Sequence, residues 1–160
     1  MKLSTRTRYG LRMLVSIARA HQSSSHPAPL YPIAVKQDIS FKYLEKICRI
    51  LKKEGYLLGK RGPDGGYSLT MPPEEIRLGE LVKILENDMN LSDCCLYETV
   101  CSHSPECPTR KLWLDLRQTI IDKLNTSTLA DLVHAPQACI LENPESGETD
   151  SDPSCGNTGS

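Results

Sequence analysis

The 160-residue chain has no apolar run near the roughly 18 residues of a membrane span. Its first twenty residues interleave basic and apolar side chains without an unbroken apolar stretch or a small-residue cleavage site, so they are not expected to act as a secretory leader. No internal repeat is present. Also missing are a Ser/His/Asp set and a pair of spaced carboxylates, and the Gly-rich run at 61–67 lacks both the lysine and the following helix of a phosphate-cradling loop, so no enzyme class is indicated. Nor is there an overall charge excess: 19 Lys and Arg face 20 Asp and Glu, for a net charge of -1. These absences leave a cytoplasmic location as the expectation. There, seven cysteines read as ligands, redox groups or buried thiols rather than a disulfide framework. The length suits one domain with accessory elements.

The neutral balance hides a division. Residues 1–62 hold thirteen basic and three acidic side chains, +10, whereas residues 63–160 hold six against seventeen, -11. Such asymmetry is what a polyanion-binding face produces, although a solvated basic face is its commoner cause. Tyr9, Met13, Ile17 and Ala20 recur at helical spacing with Leu14 and Ala18 beside them, while Arg6, Arg8, Arg12 and Arg19 occupy the other face. A loop at 21–29 follows. Pro32 can open a short helix over 32–37, and Ser40 can cap a second running to about Glu54, which together outline a helix-turn-helix. In the second helix Leu44, Ile47, Cys48 and Leu51 form a core stripe, with Cys48 a buried thiol. Lys42, Glu45, Lys46, Arg49, Lys52 and Lys53 point outward. Strands are expected at 56–60 and 67–69 around the Gly-rich turn, with Lys60 and Arg61 at its mouth; this is either an ordinary surface hairpin or a DNA-contacting wing. Leu78, Leu81, Val82 and Leu85 mark a further helix.

Cys95, Cys101 and Cys107 are separated by five residues each, and clustered thiolates of this kind can hold zinc or an iron-sulfur cluster. A helix over 109–125 follows, with Leu112, Trp113, Leu116, Ile120, Ile121 and Leu124 in a wide stripe. That stripe needs a partner, and the economical one is the same helix of a second chain. Ser127 can cap a last helix reaching Val133. From Glu142 onward the sequence is acidic and aperiodic, a disordered tail that leaves Cys139 and Cys155 without ligand roles.

Five segments carry a family resemblance: the opening at 1–10, the stretch 39–45, the turn 61–67, the cysteine triad and the stretch 127–133. Over residues 1–134 the chain resembles the Rrf2 family of bacterial transcriptional regulators. The resemblance implies a mainly α fold: a winged helix-turn-helix domain with a small β-hairpin wing at 1–88, a cysteine-bearing sensor loop at 89–108, a dimerisation helix and short terminal helix at 109–134, and the tail at 135–160. It implies a recognition helix in the major groove of a palindromic operator, with Ser40, Lys42 and Glu45 near its start and Lys46 and Arg49 further along. Lys60 and Arg61 would reach the minor groove or backbone from the wing, and Arg8 and Tyr9 would position the duplex. A 2Fe-2S cluster would sit on Cys95, Cys101 and Cys107.

Two departures stand out. Asp38 occupies a turn position where the family often has glycine; Asp tolerates the left-handed conformation, so the turn should survive. Arg110 stands where one branch has a ligating histidine, and Arg8 and Arg12 stand where others draw a ligand from the first helix. The remaining local donors are His103, Cys94, Glu106 or an exogenous group, with His103 the first choice. The expected function is a homodimeric DNA-binding regulator whose operator affinity follows cluster state. The alternatives are a zinc- or thiol-based regulator of the same fold, or a module that binds a metabolic enzyme.

Overall fold

The computed structural model describes residues 3–24, 26–86 and 107–135. Along the chain come α1 (Thr5–Ser23), α2 (Leu30–Gln37), α3 (Phe41–Lys53), β1 (Leu57–Lys60), β2 (Gly66–Leu69), α4 (Leu78–Glu86), α5 (Pro108–Thr126) and α6 (Leu129–His134). This is the mainly α, winged arrangement that the sequence implies. Boundaries move slightly: α1 runs on past Ala20 to Ser23, and α2 starts at Leu30, which puts Pro32 in its first turn.

The core gathers Met13, Leu14 and Ile17 from α1, Leu30, Ile33 and Ala34 from α2, and Leu44, Ile47, Cys48 and Leu51 from α3. Leu57, Ile76, Leu78, Leu81 and Leu85 complete it, together with Leu129 and Val133 of α6. Sequence reasoning grouped α6 with the helix before it; the backbone joins it to the core. Leu78 N–H donates to Ser127 O at 2.9 Å and Leu129 N–H to Ile76 O at 2.9 Å. Thr128, not Ser127, caps α6: its hydroxyl accepts from the Asp131 N–H, and the Asp131 carboxylate accepts from the Thr128 N–H at 2.7 Å, a reciprocal capping box.

Two helices end in the same way with different residues. Asp38 adopts φ 52°, ψ 51°; its N–H donates to Val35 O at 3.2 Å and the Ile39 N–H to Ala34 O at 3.0 Å. At the end of α3, Gly55 has φ 82°, its N–H donates to Lys52 O at 3.2 Å, and the Tyr56 N–H donates to Leu51 O at 2.9 Å. Both are Schellman closures, in which a left-handed residue turns the chain so that the next apolar residue packs back on the helix. Ile39 and Tyr56 are accordingly buried. The helix-turn-helix turn thus survives without glycine.

The antiparallel pair β1–β2 sets Leu57 opposite Leu69 and Lys60 opposite Gly66. Ala28, from the loop after α1, adds a bridge to Tyr67 with two bonds of 2.8 Å. Gly66 is required by this approach, since a Cβ there would collide with the Ala28 carbonyl. The wing is therefore pinned to the body of the protein at its second strand.

Three arginines of α1 bind the ends of three other helices. Arg6 Nε donates to Leu85 O of α4 at 2.5 Å. Arg12 Nε donates to Gln37 Oε1 at 2.7 Å and its Nη2 to Gln37 O at 3.2 Å, at the end of α2. Arg19 donates to Val133 O at 2.8 and 3.1 Å and to Ala135 O at 3.2 Å, closing α6. Cations suit helix C-termini, where carbonyls lack intrahelical donors. Much of the basic face of α1 thus holds the helices together.

Candidate nucleic-acid interface and cysteine site

Helix α3 buries Leu44, Ile47, Cys48 and Leu51 and leaves Lys42, Lys46 and Arg49 exposed, with Glu45 half-buried between them. The 3.6-residue period separates the two sets onto opposite flanks. Ser40 occupies the N-cap, as the sequence suggested, yet its hydroxyl makes no capping bond; the carbonyl alone accepts, from Tyr43 and Leu44 N–H at 3.0 Å each. That hydroxyl is exposed to solvent.

Tyr43 locks the start of α3 to α1. Its ring meets Tyr9 edge-on at 6.1 Å and its hydroxyl lies 3.1 Å from Thr5 Oγ1. The Tyr9 ring has the Arg8 guanidinium 5.8 Å from its centroid and that of Arg12 at 6.0 Å. Both cations are exposed, and Arg12 is in addition bonded to Gln37. Lys60 and Arg61 are exposed at the hairpin turn. Burial pushes the phenol of Tyr67, on the returning strand, upward, with Cys48 and Glu45 of α3 adding to the rise and Arg49 opposing it. The structure therefore collects Ser40, Lys42, Glu45, Lys46 and Arg49 on one flank of α3, sets Arg8 and Tyr9 beside it through Tyr43, and carries Lys60 and Arg61 on the wing.

The two described cysteines have opposite environments. Cys48 is fully buried with its thiol donating to Met13 Sδ at 3.4 Å, and burial, reinforced by Glu45, pushes its pKa up to about 12. It is a core group and cannot serve as a ligand. Cys107 is half-buried at the N-cap of α5 with Sγ 3.1 Å from Thr109 Oγ1. The Thr109 hydroxyl, then the backbone N–H groups of Arg110 and Thr109, hold this thiol below its ordinary value, as a helix start does for an anion. A metal takes the deprotonated thiol, and the downward direction at Cys107 favours that form. Cys95, Cys101, His103, Cys94 and Glu106 lie outside the described residues, as does the acidic tail beyond Ala135. Among the described residues no three metal-ligating side chains converge.

One feature escaped sequence reasoning: Phe41, the first residue of α3, stands exposed against the exposed Tyr31 of α2. An aromatic residue directly after the helix-capping serine was the available signal.

The family model of Rrf2, described as an iron-dependent transcriptional regulator, matches residues 3–135. The chain belongs to the Rrf2 family. The protein rrf2 of Nitratidesulfovibrio vulgaris is 41% identical over 139 residues, covering 87% of this chain and 91% of that protein. IscR of Serratia proteamaculans is 32% identical over 149 residues, covering 93% and 89%. Among solved structures, CymR of B. subtilis, described as the global cysteine regulator, superposes with a TM-score of 0.69 at 29% identity, covering 83% of this chain and 96% of that one. The IscR of T. potens gives 0.65 at 28% identity, covering 83% and 86%. These Rrf2 relatives are transcriptional regulators, and this Rrf2 chain is a DNA-binding regulator of transcription rather than an enzyme. No helix among the described residues is long and apolar enough to cross a membrane.

Proposed function

We propose that the protein is a cytoplasmic homodimeric regulator that binds a palindromic operator and adjusts its affinity through an iron-sulfur cluster. The observation that carries this reading is Cys107: a thiol 3.1 Å from Thr109 Oγ1 at the head of a 19-residue helix that has no buried residue, α5. Cys95, Cys101 and Cys107 would hold a 2Fe-2S cluster, with His103 as the fourth ligand. When bound, such a cluster supplies a group sensitive to oxidants, nitric oxide and iron supply. Domain limits follow the same reading: reading unit 1–88, sensor loop 89–108, dimerisation helix and terminal helix 109–134, the latter packed on the core of the reading unit, and tail 135–160.

On the DNA side, Ser40, Lys42 and Glu45 would address base edges, since the start of a recognition helix reaches into the major groove and a carboxylate accepts from the cytosine amino group. Lys46 and Arg49 would meet phosphates, Lys60 and Arg61 would approach from the wing, and Arg8 with Tyr9 would fix the register. Helix α5 joins the cysteine site to this unit, because its last turn abuts the start of α4: Ser127 O accepts from Leu78 N–H at 2.9 Å, and Asn125 lies against Gly79. A change of order at Cys107 would therefore reach the core along α5 and through this hydrogen bond.

Anaerobic purification followed by iron, sulfide and zinc analysis tests the proposal. Brown protein with two irons and two sulfides per chain, lost in Cys107→Ser, is the expected result. Colourless protein with stoichiometric zinc would replace the cluster by a zinc- or thiol-based switch. That second reading is favoured by Arg110, which supplies no ligand where one branch of the family has histidine. Binding of an enzyme and of no promoter fragment would favour the protein-binding alternative.

A further inference from the structure

We propose that Phe41, braced by Tyr31, reads the 5-methyl group of a thymine in the major groove and so contributes sequence preference. Phe41 is the first residue of α3 and is 40% exposed; Tyr31, the second residue of α2, is 67% exposed. Their ring centroids are 6.2 Å apart with planes tilted by 58°. Val35, one turn further along α2, is 65% exposed and widens the apolar surface. Helix α2 has already committed Leu30, Ile33 and Ala34 to the core, so these side chains form a separate outward pad.

The surroundings define what such a pad can meet. Lys36 and Lys42 are exposed beside it in sequence, and Ser40 next to Phe41 offers a hydroxyl that caps nothing. An apolar spot within cationic and hydroxyl-bearing neighbours suits a duplex, whose phosphates meet the cations. Of the groups that base edges present in the major groove, the thymine methyl is the apolar one. Position agrees, because the first residues of a recognition helix are those that reach base edges. Tyr31 has a distinct part: its tilted contact with Phe41 limits the rotamers of that ring, so it is a positioning residue, and its phenol is exposed toward a phosphate.

This inference rests on the DNA-binding reading, and the experiment separates the two. The full-length protein is used to enrich duplexes from a random-sequence pool, and each thymine of the enriched site is then replaced by deoxyuridine, which removes only the methyl. We expect one thymine per half-site at which deoxyuridine weakens binding about fourfold, the size of one buried methyl. Phe41→Ala should bind the thymine duplex correspondingly less well and should show no further loss on deoxyuridine. Phe41→Leu, which keeps an apolar tip, should retain the preference, and Tyr31→Ala should reduce it partway. If no thymine shows a deoxyuridine penalty, or if the penalty persists undiminished in Phe41→Ala, the assignment is wrong. Failure of the wild-type protein to enrich any duplex would instead overturn the DNA-binding reading itself. The deoxyuridine measurement on wild-type protein needs no variant, so it decides the matter even if Phe41→Ala folds poorly.

Discussion

Helices α3 and α5 carry apolar stripes of the same period, and the protein treats them oppositely. All four stripe residues of α3 are buried, whereas α5 buries none and leaves Leu112, Trp113 and Leu116 at 52%, 39% and 41% exposure. The difference lies in where each stripe finds its complement. Helix α3 is enclosed by α1, α2, α4 and β1 of its own chain, while among the described residues α5 meets α4, packs Leu124 against the core and leaves the first half of its stripe exposed. A stripe left exposed at Leu112, Trp113 and Leu116 among the described residues indicates an external partner there. The first and largest consequence concerns α3: Leu44→Ala should destabilise the fold by about 3 kcal/mol, the usual cost of removing a buried leucine side chain. Thermal or urea unfolding followed by circular dichroism measures it, and the loss should not depend on protein concentration.

Helix α5 should respond in the opposite manner. Leu116→Glu is expected to leave the reading unit folded but to shift sedimentation from a dimer to a monomer. Melting that rises with protein concentration in the parent should become concentration-independent in the variant, because association stabilises by mass action. Unchanged sedimentation would mean that the exposed stripe of α5 has some role other than pairing with a second copy.

A smaller contrast divides the arginines of α1. Arg12 is bonded to Gln37 and Arg8 is not, so Arg12→Ala should cost about 1 kcal/mol of stability through the unsatisfied end of α2. Arg8→Ala should cost almost none, yet weaken DNA binding across all sequences and reduce the salt dependence by about one phosphate contact. Equal effects of the two on stability, or equal effects on DNA, would erase the distinction.

These arginines also show how much was readable in advance. The α3 stripe, the Ser40 cap position, the hairpin and α4 follow from spacings of three or four residues, and all were legible. So was the tolerance of the helix-turn-helix turn for Asp38. The partners of Arg6, Arg12 and Arg19 lie 79, 25 and 114 residues away, so local periodicity shows only that these side chains are polar and turned from the core. Counting their charge toward a polyanion-binding face therefore overstated that face. The placement of α6 was hidden for the same reason, since its anchor at Ile76 is more than fifty residues upstream. Of the cysteine site, only Cys107 is among the described residues, and there the legible part is chemistry: a thiol at a helix start is a better anion than one in a core.

The two Schellman closures give a comparison of still smaller size. Gly55→Ala places a side chain at a positive φ and should destabilise by about 1 kcal/mol, whereas Asp38→Gly relieves the same strain and should stabilise by about 0.5 kcal/mol. Urea midpoints should move in opposite directions. If Asp38→Gly is destabilising, the carboxylate contributes something to the turn beyond its backbone geometry.

The last comparison returns to Cys48 and Cys107, one in α3 and one at the head of α5. Burial raises Cys48 from an ordinary 9.0 to about 12, so in the folded state it keeps its proton where the unfolded chain has lost it. Stability from this group is complete below pH 9 and falls as pH rises toward 12, because unfolding then releases a proton. Tyr56, whose phenol donates to Glu80 at 2.7 Å and is likewise raised to about 12, adds to the same alkaline limb from its ordinary 10.0 upward. Cys48→Ala should lower stability at neutral pH, as any core truncation does, but should flatten the decline between pH 9 and 10, where Tyr56 contributes little. Cys107→Ser should leave that decline untouched. Alkylation read by peptide mass in the metal-free protein should show Cys107 modified in the folded state and Cys48 only on unfolding. Modification of Cys48 at neutral pH without loss of structure would mean that the α3 core opens locally, and the contrast between the closed and open helices would then be one of degree.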